Sequence, residues 1–388
     1  MYAFDAFELD PGRYELRRDG EQVHVEPQVF DLLRYLIENR DRVVSKDDIL
    51  TEIWGGRFVS EAALTTQIKA ARKAVGDTGE EQRLIRTVRQ RGYQFVGAVG
   101  GSAATPQPPR LAQDVRFCHG EDGVRIAYAL TGSGTPLVKA ANWMTHLGYD
   151  LDSPVWRHWL TALSAHHRLI RYDERGCGLS EWELPRFCFD DWVRDLELVV
   201  DDAGLETFPL LGISQGAAVA VAYAVRHPER MDRLILVGGY PLGRGARART
   251  VDEKRAAALD LELARVGWGK DDPAFRRVFA MQFLPEGTHQ EWAEFDELQR
   301  RTTSPANAVK FLETFADIDI RDRAPDVACP TLILHSRDDH RVPFGCAQQL
   351  ADLIPRSRLI PLPSRNHLLT GHETAWPMFV DEVNHFTR

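Results

Sequence analysis

The chain of 388 residues is poor in cysteine. Its five cysteines, at positions 118, 177, 188, 329 and 346, are odd in number and irregularly spaced, and no Cys-x-x-Cys occurs. That argues against a disulfide framework and a zinc site, and it suits a reducing compartment. Long apolar runs are missing too. No stretch approaches the roughly eighteen residues of a membrane-spanning helix. The opening residues, MYAFDAFELDPGRYELRRDG, hold no apolar signal core. The expectation is a cytoplasmic protein without membrane partners. Positive charge is in deficit: 48 Lys and Arg against 57 Asp and Glu give a net charge of −9. A uniformly basic nucleic-acid coat is thereby excluded, whereas a local basic face is not. Nothing indicates a metal or an organic cofactor.

What is present is an ordinary globular composition, 44% hydrophobic and 27% charged, on a chain long enough for two or three cores. One stretch breaks it. GAVGGSAATPQPPRLAQD, from residue 97, is rich in Gly, Ala, Pro and Ser and has no periodicity. It predicts a flexible linker over 98–114 between domains at 1–97 and 115–388.

In the first domain, YAFDAFELD and YELRRDGEQVHV alternate like strands of a small antiparallel sheet. EPQVFDLLRYLIENRDR places Val29, Leu32, Leu33 and Leu36 at helical spacing, with Pro27 near the start. Ser45 and Ser60 stand where they would cap two further helices. In the last of these, Leu64, Ile68, Ala71 and Val75 form an apolar stripe that stops at Gly76. At about 100° per residue, Thr66, Lys69 and Lys73 point the opposite way, flanked by Thr65 and Arg72. RLIRTVRQRGYQFVG then gives two strands around a tight turn bearing Arg89 and Arg91. Residues 57–91 hold eight Lys/Arg against four Asp/Glu, a net of +4, while residues 1–56 hold seven against thirteen, a net of −6. Net positive charge concentrated on one helix and one hairpin suits binding of phosphates. The candidate DNA contacts are therefore Thr65, Thr66, Lys69, Arg72, Lys73, Arg89 and Arg91. The alternative is a protein-binding or dimerising module with solvated charges.

VVSKDDILTEIWG, VSEAALTTQIKAARKAVGD and RLIRTVRQRGYQF together resemble the OmpR/PhoB-type winged-helix domain over about residues 2–97. The resemblance implies an α+β fold with a short sheet, three helices and a wing. It also implies a recognition helix at about 60–75 and double-stranded DNA as partner. The chain departs from the family pattern at Ala62, where many members carry arginine. No receiver domain precedes the winged helix, so aspartyl phosphorylation is not expected as its switch.

The second domain alternates apolar strands with helical runs. VRIAYAL, PLVKAAN, RLIRYD, FPLLGI, RLILVGG, TLILHS and RLIPLP read as strands of a mostly parallel sheet covered on both faces. Reactive groups then belong at the carboxyl ends of strands. Gly212-Ile213-Ser214-Gln215-Gly216 occupies such a place, between FPLLGI and a helix. A serine hydroxyl needs a base held by a carboxylate to act as nucleophile. On this kind of sheet the acid and then the histidine follow in chain order. Asp339, with Asp338 as its neighbour, follows TLILHS, and His367 follows RLIPLP.

YDERGCGLS, GISQGA and LHSRDDHRVP resemble segments of the α/β-hydrolase fold over about residues 115–388. The resemblance implies Ser214 as nucleophile, Asp339 as acid and His367, rather than His372, as base. The backbone N–H groups of Gln215 and Trp143 would form the oxyanion hole. The family's His-Gly after the third strand is replaced here by Ala141-Asn142. Residues 241–320 interrupt the alternation with amphipathic helices and would form a lid. Its Trp268, Phe279, Phe283, Trp292 and Phe295 would line an apolar acyl site or serve as lid core.

The two halves together suggest a transcriptional regulator, expected to pair as a homodimer, that senses and hydrolyses a small ester, lactone or acyl compound. Two other readings stay open. One is a plain esterase or lactonase that uses the winged helix for localisation or oligomerisation. The other is a receptor without turnover.

Overall fold

The computed structural model describes residues 2–11, 14–54, 61–89, 91–100, 111–184, 188–270, 272 and 274–388. The chain divides into two compact units, Met1–Pro109 and Arg110–Arg388. The expected linker is shorter than composition suggests. Val99–Gly100 pairs with the first strand of the chain, and Gln113 already belongs to a strand of the second unit. Residues 101–110 and the expected cap Ser60 lie outside the described residues.

The first unit is an α+β winged helix. Strands β1 (Tyr2–Phe4), β2 (Phe7–Asp10), β3 (Glu15–Arg18) and β4 (Glu21–Val23) form an antiparallel sheet. Helices α1 (Pro27–Glu38), α2 (Lys46–Trp54) and α3 (Glu61–Ala74) follow. A hairpin of β5 (Ile85–Val88) and β6 (Gly92–Phe95) comes next, and β7 (Val99–Gly100) closes against β1. Proline opens α1, where its missing N–H costs nothing, and six apolar residues of one face are buried. The Ser45 hydroxyl accepts the Asp48 N–H at 3.0 Å and so caps α2. The stripe Leu64, Ile68, Ala71 and Val75 on α3 is buried throughout. Since the apolar face of α3 is spent on the core, its polar face is left to solvent.

The second unit is built on an eight-stranded sheet of β8 (Gln113–His119), β9 (Arg125–Thr131), β10 (Thr135–Lys139), β11 (His167–Tyr172), β12 (Phe208–Ile213), β13 (Met231–Val237), β14 (Thr331–Ser336) and β15 (Ser357–Leu362). Its order is β15-β14-β13-β12-β10-β11-β9-β8. The strands β10 to β15 run parallel, and β8 and β9 are antiparallel at one edge. Every residue of β12 and β14 is buried, as central strands covered on both faces require. Helices α4 (Arg157–Ser164), α5 (Phe189–Asp202) and α6 (Gln215–Arg226) pack on the sheet between its strands.

Between β13 and β14 the chain forms α7 (Arg244–Arg247), α8 (Val251–Gly267), α9 (Ala274–Phe283), α10 (His289–Thr302) and α11 (Pro305–Ala316). This is the helical insertion expected at 241–320. Its helices start on strong local signals. Thr250 with Glu253 and Thr288 with Glu291 form complete capping boxes, and Ser304 caps α11. Helices α12 (Phe344–Leu353) and α13 (Ala375–Phe386) complete the unit.

Candidate active site

Ser214 ends the turn from β12 into α6 with φ 54° and ψ −122°. That conformation costs a non-glycine residue about 1–3 kcal/mol and persists only where packing over-determines it. Here the packing is close. A Cβ on Gly212 would sit 2.5 Å from the Gly216 carbonyl oxygen, and one on Gly216 would sit 2.6 Å from that of Ala141. The two glycines let β12, α6 and the end of β10 approach, and the Ser214 N–H is tied to the Val237 carbonyl at 2.8 Å.

The other two expected residues converge on this serine. His367 Nε2 lies 2.9 Å from Ser214 Oγ, and His367 Nδ1 lies 2.6 Å from Asp339 Oδ2. The second Asp339 oxygen, Oδ1, accepts the backbone N–H groups of Arg341 at 2.8 Å and Val342 at 2.9 Å. Burial works against ionising Asp339. The charge and hydrogen bond of His367, together with the Val342 N–H, outweigh it and hold this carboxyl below the usual carboxylate range. Asp338 is exposed and stays apart from the site. His372 lies near Glu291, 3.5 Å away, and His335 is bound to the Val342 carbonyl. The lid holds the imidazole loop: Phe283 at the end of α9 accepts the His367 N–H at 2.8 Å, and Asn366 Oδ1 accepts the Glu286 N–H at 2.9 Å.

The region expected to form the oxyanion hole is arranged differently. The Trp143 N–H is not open: it donates to Oε1 of the Gln215 side chain at 3.1 Å. Gln215 Nε2 in turn donates to the buried Glu174 carboxyl at 2.9 Å. Burial pushes Glu174 well above the usual carboxylate range. A glutamine after the serine is long enough to reach back across the turn, which the backbone pattern alone could not reveal. Gln215 itself is the first residue of α6. The first N–H groups of a helix lack intrahelical partners.

Ser214 opens on a narrow cavity lined in part by Trp143, Tyr240 and Leu368. Of the five lid aromatics expected there, Phe283 alone lines it, joined by Trp143, Tyr240 and Phe315. Trp268 stacks on Trp143 with ring centroids 5.1 Å apart, and Phe279 meets Trp143 edge-on. Phe295 is fully buried, and Trp292 donates to the Leu284 carbonyl. These four serve as lid core. Sequence reading missed the arginines of the cavity wall, Arg244, Arg247 and Arg341. The basic run Gly-Arg-Gly-Ala-Arg-Ala-Arg at 243–249 was the available signal.

In the first unit, Thr65, Thr66, Lys69 and Lys73 are exposed on α3, and Arg89 and Arg91 are exposed at the hairpin turn. Arg72 is a correction. It is only 7% exposed and donates to the Ile85 carbonyl and the Thr87 hydroxyl. Its long side chain folds under the hairpin and ties α3 to β5, so it is a strut and not a phosphate contact. Among the described residues, no cluster of His, Cys, Asp and Glu is arranged to hold a metal, and no helix is long and apolar enough to cross a membrane.

The sheet order, the turn at Ser214 and the lid define an α/β-hydrolase unit. The alpha/beta hydrolase fold model matches residues 146–370, more than half of the chain, and the chain belongs to that family. Residues 20–95 match the model described as "Transcriptional regulatory protein, C terminal", so an OmpR/PhoB-type winged helix stands before the hydrolase unit. Among curated proteins the chain is similar to "Putative carbamate hydrolase RutD" of Azorhizobium caulinodans, 26% identical over 63% of this chain and 88% of that protein. Among solved structures it is similar to an esterase from Exiguobacterium antarcticum, at 25% identity and TM-score 0.57, covering 70% of this chain and 96% of that one. An esterase from Rhodococcus sp. ECU1013 is similar at 26% identity and TM-score 0.54, covering 70% of this chain and 98% of that one.

Proposed function

We propose that the chain is a cytoplasmic, DNA-binding transcriptional regulator whose hydrolase unit takes a small ester, lactone or acyl compound and cleaves it through Ser214. The observation that carries this reading is the hydrogen-bonded series Ser214–His367–Asp339 beside a cavity, on the same chain as a winged helix with a basic exposed face. His367 Nε2 takes the proton as Ser214 Oγ attacks the carbonyl carbon. Asp339 holds the ring by Nδ1 and stabilises the imidazolium. The Gln215 N–H, and the Trp143 N–H once Gln215 Oε1 has moved from it, receive the oxyanion. His367 then protonates the leaving oxygen, and water releases the acyl group by the same steps.

Ligand and DNA are coupled only if the ligand binds two states of the protein with different affinity. Pairing of hydrolase units into a homodimer supplies two such states. One observation favours a second reading, a receptor without turnover: the Trp143 N–H already has a partner.

A fluorophosphonate probe followed by mass spectrometry tests the chemistry, and a DNA titration of the same sample tests the coupling. The reading expects the label on Ser214 and a changed DNA affinity. An unlabelled Ser214 overturns the hydrolase reading. A label with DNA binding unchanged across a broad ligand panel overturns the regulatory one.

A further inference from the structure

We propose that the compound taken up beside Ser214 carries a carboxylate, bound by a cluster of three guanidinium groups from Arg244, Arg247 and Arg341. The proposal rests on the hydrolase reading above and narrows its substrate class to anionic acyl compounds.

The three arginines come from two separate stretches, α7 of the lid and the loop after β14, and they line the same cavity as Ser214. They also line a second, more open hollow on the side of Leu242 and His340. They therefore stand at the neck between the two spaces, where a ligand with its carbonyl at Ser214 would place its far end.

Their charge is under-compensated. Asp260 Oδ2 lies 2.6 Å from Arg244 Nη1 and 2.6 Å from Arg341 Nη1, so one carboxylate serves two guanidiniums. Among the described residues no carboxylate lies within ion-pair distance of Arg247, which donates to the carbonyls of Leu242 and Arg341. Glu253 lines the outer hollow, but its Oε2 accepts the N–H groups of Arg249 and Thr250. Three positive charges against one negative remain in a partly buried place: the side chain of Arg341 is 12% exposed and that of Arg244 is 32% exposed. Burial, and then the neighbouring Arg341 and Arg247, push the Arg244 pKa below its ordinary value against the pull of Asp260.

A lid strut would need the Asp260 pairs and no third arginine. The third makes sense if an anion completes the set. The donors are also held in place beforehand. Arg341 lies 5.0 Å over the Phe283 ring, and Arg247 lies 5.6 Å over the Tyr240 ring. Guanidiniums fixed against aromatic faces and offering several N–H donors are well matched to a carboxylate.

The test compares mono-p-nitrophenyl adipate with p-nitrophenyl hexanoate on the full chain. These esters share one acyl length and differ in a terminal carboxylate. The proposal expects kcat/KM for the adipate ester to exceed that for the hexanoate ester by about tenfold or more, chiefly through KM. Arg247→Gln should remove about tenfold of that ratio and Arg247→Lys should restore part of it. Equal rates on both esters in the wild type, with Ser214 labelled by fluorophosphonate, overturn the anion subsite and leave the serine chemistry standing. If neither ester is cleaved and Ser214 is not labelled, the hydrolase reading falls. The subsite is then decided by binding alone. A rise in wild-type Tm with monomethyl adipate and none with dimethyl adipate supports it, and equal or absent responses overturn it.

Discussion

The backbone N–H of Trp143 donates to Oε1 of Gln215, 3.1 Å away, across the turn that carries Ser214. The group expected to steady a developing oxyanion is satisfied by a neighbouring side chain. A carbonyl oxygen entering the site has to take that place, and Gln215 is at the same time anchored through Nε2 to Glu174. Substituting Gln215→Leu removes the competing acceptor while keeping an apolar side chain of similar reach. One oxyanion donor is worth about 10²–10³ in rate. The variant is expected to raise kcat on p-nitrophenyl acetate by about tenfold or more in a steady-state assay. It should also lower Tm by several degrees, because Glu174 loses a buried partner worth about 1–3 kcal/mol. An unchanged kcat would show that the Trp143 N–H is already released during turnover.

Asp339 makes a second prediction, on chemistry. Its two oxygens serve His367 on one side and the Arg341 and Val342 N–H groups on the other. An amide in its place keeps the shape and spoils the tautomer of the imidazole. Asp339→Asn is therefore expected to lower kcat by about 10⁴, as loss of the acid does in a serine-histidine-aspartate system. Near-ultraviolet circular dichroism should stay close to that of the wild type, which separates lost chemistry from lost fold.

The same carboxyl gives a prediction on pH. Its pKa in the folded chain is held below the unfolded value, which is about 3.9. The folded state therefore prefers the ionised form. The resulting stability is fully present above about pH 4 and is lost as pH falls through the folded pKa. Urea unfolding between pH 5 and pH 2.5 should show the wild type losing stability over that range more steeply than Asp339→Asn. Parallel curves would mean that Asp339 is ionised no more readily folded than unfolded.

How much of this was legible in the sequence depended on whether a feature was local. Strand-length apolar runs such as FPLLGI and TLILHS marked β12 and β14, because a strand covered on both faces must be apolar throughout. The strand β8 escaped notice. Gln113–His119 sits at the sheet edge with mostly exposed or half-exposed side chains, so it carries no clear apolar signal, and the expected linker ran over its first two residues. Helix α11, within the expected helical insertion, opens on ordinary start signals at Ser304 and Pro305. The candidates Ser214, Asp339 and His367 were visible because chain order on this fold places them after the ends of β12, β14 and β15. The Gln215–Trp143 bond and the arginine cluster were not, since each joins residues far apart in sequence by the course of a long side chain. Arg72 failed for a related reason: helical periodicity gives the direction of a Cβ, not whether a long side chain turns back under its neighbours.

That distinction gives the last prediction, which separates two kinds of basic residue on one helix. Arg72 donates to Ile85 and Thr87 from a buried position, while Lys69 and Lys73 are exposed on the face of α3 away from its apolar stripe. If the exposed lysines meet phosphates, Lys69→Ala and Lys73→Ala should each weaken DNA binding about equally across sequences. Each should also reduce the slope of log affinity against log salt by about one, with Tm unchanged. Arg72→Ala should do the reverse. It leaves the Ile85 carbonyl without its partner and detaches the hairpin from α3, so the winged-helix unit loses about 1–3 kcal/mol of stability. Its salt slope should stay that of the wild type wherever the unit remains folded. Fluorescence anisotropy over a salt series, paired with thermal unfolding of the same samples, distinguishes the two patterns. A salt slope that drops for Arg72→Ala and holds for both lysine variants would show that the hairpin side, and not the exposed face of α3, carries the phosphate contacts.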